Sequence, residues 1–256
     1  MRLLDVASGP GVVARIAADR GARAMGLDFS KAMVDLARAS HPGIEFREGD
    51  AQDLPFPAAT FDRVVMNFGV LHLSDPFRAF ADARRVLRPG GRYGFTVWAA
   101  HDRNRGMGIV ADAVERYGIP VAGIPPGPDR MRFADETECR RALTGAGFDA
   151  DGFTFTTHEV RWLVPTASYL LDIQRNAAVR TAATLRQQPP EQLARIRQAV
   201  EEEVARFRTT GGICRAHGGA RRHRGGAGAC LTSRTSRCPS SRSSRISERP
   251  TATSPR

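Results

Sequence analysis

The sequence predicts an α/β fold built on a doubly wound, mostly parallel sheet, and two observations carry this prediction. Short apolar runs alternate with helix-like patterns at intervals of about twenty residues, which is the spacing of βαβ crossovers. The first apolar run also leads straight into a glycine-rich turn followed by a helix, as in folds that bind a ligand at the ends of parallel strands. With 256 residues, 41% of them apolar, the chain is long enough to form such a core.

Strands are predicted where apolar and β-branched residues cluster, at residues 3–6, 23–27, 44–47, 63–70, 92–98 and 153–160. Helices are predicted to begin at three residues whose side chains can accept a hydrogen bond from the first turn, namely Ser30, Asp75 and Asp135. The helix after Asp75 should end at the RPGG segment of residues 88–91, because proline disfavours helical geometry in the residue before it. Two longer helices follow the last strand, and the second runs from Glu191 to Phe207.

The sequence divides into one domain over residues 1–212 and a tail over residues 213–256. Within the domain, residues 1–99 should form the ligand-binding core and residues 100–212 the substrate cover and the end of the sheet. From Thr209 onward, ten arginines against one acid account for +9 of the net charge of +11. These last 48 residues carry three large apolar side chains and no aromatic ring, so we expect the tail to be disordered.

The composition of the tail leaves three other interpretations. An arginine arm that binds phosphate is allowed by charge alone, but the tail lacks the aromatic side chains on which single-strand binders stack bases. A zinc site lacks short Cys-x-x-Cys pairs among its candidate ligands, which are Cys214, His217, His223, Cys230 and Cys238. The chain also has 37 arginines and one lysine, typical of a GC-rich gene, so a shifted reading frame near Gly212 explains the tail best.

Composition also excludes several functional classes. No stretch reaches the about eighteen consecutive apolar residues of a membrane span, and the first residues lack the pattern of a signal peptide. The first 208 residues carry a net charge of only +2, so the basic tail alone gives the chain the charge of a nucleic-acid binder. We therefore expect a cytoplasmic protein with a small-molecule partner, no nucleic acid and no membrane contact. The sequence leaves the oligomeric state open.

The glycine-rich turn at residues 7–11 is suited to holding a ligand. Gly9 and Gly11 let the backbone approach a bound group closely, and the helix that follows offers free N–H donors at its start. The spacing Gly9-x-Gly11-x-x-Ala14 also matches a dinucleotide-binding pattern, with Asp28 near the position of a ribose-binding acid. The turn alone therefore leaves two enzyme classes open, one of them a nicotinamide-dependent oxidoreductase.

Five blocks in a fixed order separate these classes: LLDVASGPG at residues 3–11, GLDFS at 26–30, GDAQDLPF at 49–56, FDRVV at 61–65 and LRPGG at 87–91. With these blocks the chain resembles the class I S-adenosylmethionine-dependent methyltransferases, especially the small-molecule branch that includes the ubiquinone and menaquinone biosynthesis enzymes. The resemblance spans residues 3–98. It implies a Rossmann-like methyltransferase fold, S-adenosylmethionine as cofactor, and transfer of a methyl group to O, C or N of a small, phenolic or quinone-like molecule. Such a transfer requires no metal.

The resemblance also implies roles for residues around the first strand. Asp5 would shape the turn, while Ala7, Gly9 and Gly11 would hold the amino-acid end of the cofactor. Ala7 replaces the first glycine of the family, and we expect this change to be tolerated if the backbone φ at this position stays negative.

Further roles follow at the ends of the next three strands. The resemblance gives the ribose hydroxyls to Asp28, one face of the adenine to Phe29, the adenine amino group to Asp50, the ring edge to the Ala51 backbone, and main-chain contacts near the methionine to Asn67. An ionised carboxylate only accepts hydrogen bonds, so Asp28 suits a pair of hydroxyl donors. For Asp28 and Asp50, the alternative is a carboxylate that only caps its own loop.

His72 is the candidate catalytic residue. It follows the fourth strand, where substrate meets cofactor in an open α/β sheet, and the ordinary pKa of histidine suits a general base. The alternative is a turn histidine bonded to the backbone, and His101 is a weaker candidate for the same catalytic role. Acceptor specificity should lie in residues 99–132 and 166–207, which the family uses as variable cover.

The chain departs from the family at both ends. Family members usually carry several tens of residues before the first strand, whereas this chain begins at Met1, so we expect the N-terminal helices over the cofactor to be missing. The family completes its sheet with an antiparallel seventh strand where this chain becomes arginine-rich, so we expect that strand to be absent or malformed. These departures keep a third alternative open, a catalytically defective relic that binds the cofactor without turnover.

Overall fold

The structure is a computed structural model that describes residues 1–100, 103–123, 129–160, 162–207, 214–216 and 226–234. The strands within these ranges are β1 (Arg2–Val6), β2 (Arg23–Asp28), β3 (Glu45–Glu48), β4 (Phe61–Asn67), β5 (Leu87–Trp98), β6 (Asp149–Val160), β7 (Trp162–Val164), β8 (Cys214–Ala216) and β9 (Gly226–Arg234). The helices are α1 (Val12–Asp19), α2 (Lys31–Ser40), α3 (Pro76–Val86), α4 (Arg105–Tyr117), α5 (Glu136–Gly145), α6 (Tyr169–Ala177), α7 (Val179–Arg186) and α8 (Pro190–Ala205). Short 3₁₀ turns lie at Val70–His72 and Arg132–Ala134.

Seven of these strands form one sheet in the order β3-β2-β1-β4-β5-β9-β6. β1 pairs in parallel with both β2 and β4, and the β2–β3 and β4–β5 pairs are parallel as well. The predicted fold class is confirmed, since the sheet is mostly parallel and has the Rossmann-like strand arrangement. Because parallel strands end at the same edge of a sheet, the turns after β1, β2, β3 and β4 meet there.

The three predicted helix starts are confirmed. Ser30, Asp75 and Asp135 each accept a hydrogen bond from a backbone N–H of the first turn, at 2.9–3.4 Å. α3 ends at Val86, before the predicted stop at residues 88–91, because the chain from Leu87 onward already belongs to β5, which pairs with β4 across a bulge. Where one helix was predicted before the last, the chain forms two, because the backbone at Ala178 leaves helical geometry between α6 and α7.

A seventh strand is present in the sheet, so of the two predicted outcomes, an absent or a malformed strand, the first is wrong. β9 lies between β5 and β6 and pairs with both in antiparallel register, so that Leu231 is opposite Phe95 on one side and Phe155 on the other. Without this strand, both neighbours would leave N–H and C=O groups unpaired, and main-chain pairing satisfies those groups whatever the sequence of the strand. β8 and β9 are the described parts of the tail that was predicted to be disordered, and the rest of the tail lies outside the described residues.

Two large hydrophobic cores lie in different layers of the domain. The first packs against the sheet, where Phe80, Tyr93, Phe95 and Phe133 form an aromatic cluster with ring centroids 5.2–6.2 Å apart. The second joins α4, α6, α7 and α8 into a helical layer of their own. None of the described helices has the length and hydropathy needed to cross a membrane.

Candidate functional site

A cavity of about 580 Å³, here named the strand-end cavity, opens at the carboxyl edge of the sheet and has the size of a small-molecule site. Residues from the turns after β1, β2, β3 and β4 line it. It brings together eight of the ten predicted site residues: Ala7, Gly9, Asp28, Phe29, Asp50, Ala51, Asn67 and His72. Asp5 and Gly11 do not line the cavity, and both support its turn from behind.

Asp28 fixes the turn at the base of the strand-end cavity. One of its carboxylate oxygens accepts the Gly9 N–H at 2.7 Å, and the other accepts the Ser30 N–H at 2.9 Å. The side chain therefore caps two loops while it also faces the cavity. A carboxylate offers about four acceptor positions, so about two remain for hydroxyl donors. Nothing lies within 4 Å of the point where a Cβ of residue 9 would be, so the backbone at Gly9 is open on that side.

Ala7 has a backbone φ of +54°, so the condition under which alanine was expected to be tolerated, a negative φ, is not met. The turn sets this sign, because the chain reverses between β1 and α1, and Gly9 and Gly11 have φ values of +52° and +83° in the same turn. The left-handed region costs an alanine about 1–2 kcal/mol, since its Cβ comes close to the following carbonyl oxygen. The turn therefore holds backbone strain at a residue that lines the cavity.

Phe68 is a second strained residue of the strand-end cavity, and sequence reasoning did not identify it. Its φ is +56°, and its N–H donates to the hydroxyl oxygen of Thr96 at 3.0 Å. The Thr96 hydroxyl donates in turn to Asn67 Oδ1 at 2.7 Å, and the Phe68 ring stacks on Trp98 with centroids 4.3 Å apart. Residues of β5 thus hold the end of β4 in place. The contact depends on the register of two strands, which the sequence does not reveal.

Asp5 lies behind the turn and is 1% exposed. Its Oδ2 accepts the N–H of Ala14 in α1 at 3.0 Å, whereas its Oδ1 has no hydrogen-bond partner among the described residues. Burial raises the pKa of the Asp5 carboxyl to about 7; the bond from Ala14 opposes this rise, and the charge of Asp28 adds to it. The contact with α1 is the one expected of a residue that shapes the turn.

Gly11 is the residue before α1 and packs against the β3 side of the fold. A Cβ at this position would lie 2.5 Å from the Phe46 ring and 3.0 Å from the His41 ring. Its φ of +83° also favours glycine. Both the lack of room for a Cβ and the backbone conformation therefore require glycine at this position. The absence of a side chain at Gly11 lets the start of α1 lie close to Phe46 of β3.

Asp50 and Gln52 connect two sides of the strand-end cavity. Asp50 Oδ1 accepts the Gln52 N–H at 2.8 Å. Gln52 Oε1 accepts the Ser74 hydroxyl at 2.9 Å and the Asp75 N–H at 2.6 Å. The turn after β3 is thereby tied to the start of α3. Sequence reasoning missed Gln52 and Ser74, because hydrogen bonds between distant parts of the chain follow from the topology and not from a local pattern.

Phe29 is the most exposed aromatic residue at the cavity, with 82% of its surface accessible. An aromatic ring usually buries most of its surface, so one left open beside a cavity offers a flat face for stacking. Ala51, which is 6% exposed, packs into the core beneath the cavity. The two residues therefore present an aromatic face and a backbone edge to the same space.

His72 ends the 3₁₀ turn after β4 and lines the cavity with a partly exposed side chain. Partial burial lowers the pKa of His72 below its ordinary value, and the positive charge of Arg130 adds to this effect while Asp28 opposes it. The imidazole is therefore neutral at pH 7 and able to accept a proton. His101 lies outside the described residues. Within the described part of the chain, no group of three or more His, Cys, Asp or Glu side chains could hold a metal ion.

Comparison with known proteins gives the site its context. Residues 4–95 match the family described as a methyltransferase domain. The match runs from β1 into β5. The chain is 41% identical over 91 residues to a demethylmenaquinone methyltransferase of Renibacterium salmoninarum, a match that covers 36% of this chain and 38% of the relative. It is 43% identical over 97 residues to the demethylmenaquinone methyltransferase of Deinococcus radiodurans, with 36% and 40% covered, so the chain spans about two fifths of the length of these curated relatives.

A solved structure and the strand order agree with this family. A candidate methyltransferase from Bacillus halodurans shares the fold, with a TM-score of 0.55 and 18% identity over 91% of this chain and 92% of that chain. Dinucleotide-binding domains have the strand order 3-2-1-4-5-6, whereas the sheet of this chain has the antiparallel β9 inserted between β5 and β6. The predicted resemblance is confirmed, and the oxidoreductase alternative is not favoured.

Proposed function

We propose that the chain is an S-adenosylmethionine-dependent methyltransferase that transfers the methyl group to a small, phenolic or quinone-like molecule. One observation carries the proposal: Asp28, Asp50 and the strained turn at residues 7–11 converge on a single cavity of a methyltransferase domain. The names of the curated relatives, demethylmenaquinone methyltransferases, support the quinone-like class of acceptor.

The strand-end cavity fits the proposed cofactor. The free acceptor positions of Asp28 suit two ribose hydroxyls, and the open face of Phe29 suits an adenine ring. Asp50 and the Ala51 backbone suit the polar edge of that ring, and the open backbone at Gly9 suits the amino-acid end. When bound, S-adenosylmethionine supplies an electrophilic methyl group on a positively charged sulfur.

The chain's own contribution to the reaction is positioning and proton transfer. Holding the reacting groups in line removes much of the entropic barrier to transfer. Thr96 holds Asn67 and Phe68, and Gln52 ties the turn after β3 to α3, so the walls of the cavity are fixed by hydrogen bonds before any ligand binds. A hydroxyl acceptor must lose its proton as it is methylated, and a neutral imidazole that lines the cavity, such as that of His72, supports a role as the base that takes it.

Replacing His72 with asparagine should lower kcat/KM for a phenolic acceptor about 100-fold, because a general base contributes at least that factor. In the unmodified chain, kcat/KM should be constant above pH 7 and fall on acidification below the lowered pKa of His72, and His72→Asn should abolish this acid limb. The exposed His158, replaced in the same way, serves as the matched control and should leave the profile unchanged. An acid limb that survives in His72→Asn would assign the base to another residue.

Calorimetric binding of S-adenosylhomocysteine tests the cofactor site directly. Asp28→Asn should weaken this binding about 10- to 100-fold, because it removes a charged hydrogen-bond acceptor. Asp35→Asn removes an equally charged carboxylate from the exposed surface of α2 and should leave the affinity unchanged. Failure of the unmodified chain to bind S-adenosylhomocysteine would overturn the proposal.

The same measurements separate the alternatives. Binding of S-adenosylhomocysteine without methyl transfer to any of a panel of phenols and quinones would favour a defective, cofactor-binding relic. Quenching of NADH fluorescence by the chain, in the absence of S-adenosylhomocysteine binding, would favour the oxidoreductase.

A further inference from the structure

A second cavity, of about 540 Å³, lies in the helical layer between α4, α6, α7 and residues 129–131, and we name it the cover cavity. Met107, Val110 and Val114 of α4 form an apolar wall along it. Its volume suits a small organic molecule. The cover cavity falls within the two stretches that the sequence predicts to determine acceptor specificity.

One buried polar side chain of the cover cavity has no protein partner. Gln174 of α6 lines the cavity and is 9% exposed, and its side-chain amide makes no hydrogen bond to any described residue. The amide atoms of Gln174 are not among the described side-chain atoms that are fully buried without a partner, so they are reached from the cavity. Gln174 is therefore a hydrogen-bonding group that is available to a ligand in the cavity.

Two arginines give the cover cavity its chemical preference. Arg130 and Arg180 line it and are partly buried, and within the described residues neither guanidinium has a carboxylate within 4 Å. Glu115 and Asp129 also line the cavity, but both are exposed, and Asp129 Oδ1 already accepts the N–H of Met131 at 2.8 Å. A guanidinium withdrawn from water favours a carboxylate, which it can bind through two parallel hydrogen bonds.

The segment that carries Arg130 also relates the cover cavity to the strand-end cavity. Two residues further along, Arg132 lies over the ring of Phe77 in α3, 4.6 Å from its centroid. α3 begins two residues after Ser74, which lines the strand-end cavity together with His72. A ligand bound to Arg130 would therefore lie near the side of the strand-end cavity where the proposed base is located.

From these observations we propose that the cover cavity is the acceptor site, and that its acceptor is an aromatic molecule bearing a carboxylate. Arg130 and Arg180 bind the carboxylate, Gln174 bonds a hydroxyl or carbonyl oxygen of the acceptor, and the α4 wall packs against its ring. The assignment rests on the proposed function, because an acceptor site presupposes a methyl donor beside it.

Binding of two matched compounds tests this assignment. Hydroxynaphthoate and the carboxamide of the same substitution pattern differ in charge and have nearly the same shape. The unmodified chain, saturated with S-adenosylhomocysteine, should bind the carboxylate at least about tenfold more tightly, as one charged hydrogen-bonding pair provides. Replacing both Arg130 and Arg180 with glutamine should reduce this preference to less than about threefold.

Two further variants serve as controls. Arg195→Gln removes an exposed arginine of α8, which pairs with Glu191 on the surface, and should keep the full preference. Gln174→Leu should weaken both compounds to a similar degree and leave their ratio unchanged, because the amide bonds a group that both share.

The outcomes also separate this inference from the proposed function. Equal affinities in the unmodified chain, a preference that survives in the double arginine variant, or failure of both compounds to bind while S-adenosylhomocysteine binds would overturn the acidic acceptor. A tenfold preference measured in a chain that does not bind S-adenosylhomocysteine would support an acid-binding cavity but contradict the methyltransferase.

Discussion

Replacing Gly11 with alanine should lower the free energy of unfolding by about 2–5 kcal/mol, because two costs add at this position. The φ of +83° places an alanine Cβ in the left-handed region, at about 1–2 kcal/mol. That Cβ would also lie 2.5 Å from the ring of Phe46, which is 2% exposed and has little room to move, at about 1–3 kcal/mol. Urea unfolding followed by circular dichroism measures the difference.

The same turn provides a matched control and a change of opposite sign. Gly9→Ala meets the left-handed penalty at a φ of +52° without any contact, so it should cost about 1–2 kcal/mol and less than Gly11→Ala. Ala7→Gly relieves the strain at +54° and should stabilise the fold by about 0.5–1 kcal/mol. Equal costs for Gly9→Ala and Gly11→Ala would show that α1 does not pack on Phe46 as described.

The buried carboxyl of Asp5 should make the protein less stable as the pH rises. Its pKa is about 7 in the folded chain and 3.8 when unfolded, so between these values the folded state binds more protons and its stability falls as they are lost. The shift corresponds to about 4 kcal/mol in total, of which about 2.5 kcal/mol falls between pH 5 and pH 8. Asp5→Asn keeps an acceptor for the Ala14 N–H and has no charge to lose.

Urea unfolding of the two chains at pH 5 and pH 8 isolates this effect. The stability of Asp5→Asn relative to the unmodified chain should rise by about 2–3 kcal/mol between the two pH values. Asp53→Asn changes an exposed carboxyl and should shift the stability by less than about 0.5 kcal/mol at either pH. A relative stability of Asp5→Asn that does not change with pH would mean that the carboxyl is already ionised at pH 5 in the folded chain.

The strand ends were predictable because local sequence determines them. An apolar run that stops at an acid or a glycine marks the carboxyl end of a parallel strand, and such ends must share one edge of the sheet. Asp28 and Asp50 therefore had to lie near Gly9 once the strands were identified, and the strand-end cavity confirms this placement. The helix caps at Ser30, Asp75 and Asp135 are equally local, since each acts within its own first turn.

The features that sequence reasoning missed depend on contacts between distant segments. The hydrogen bond from the Phe68 N–H to the Thr96 hydroxyl depends on the register in which β4 and β5 pair. The hydrogen bond from Ser74 to Gln52 depends on two turns that are distant in sequence coming together. The positive φ of Ala7 could not be predicted from the residue type, because the reversal of the chain determines it. The positions of Gln174 and Arg180 in the cover cavity depend on how α6 and α7 pack, for which no local pattern exists.

The position of β9 in the sheet has a consequence for how the protein is made. The strand is internal in space but is the last of the described strands in sequence, so β5 and β6 leave the ribosome well before the segment that joins them. Until translation passes residue 234, both strands present open edges that can pair with other chains. Nascent or prematurely terminated chains should therefore be the aggregation-prone species, and the last strand acts as a protective closure for the sheet.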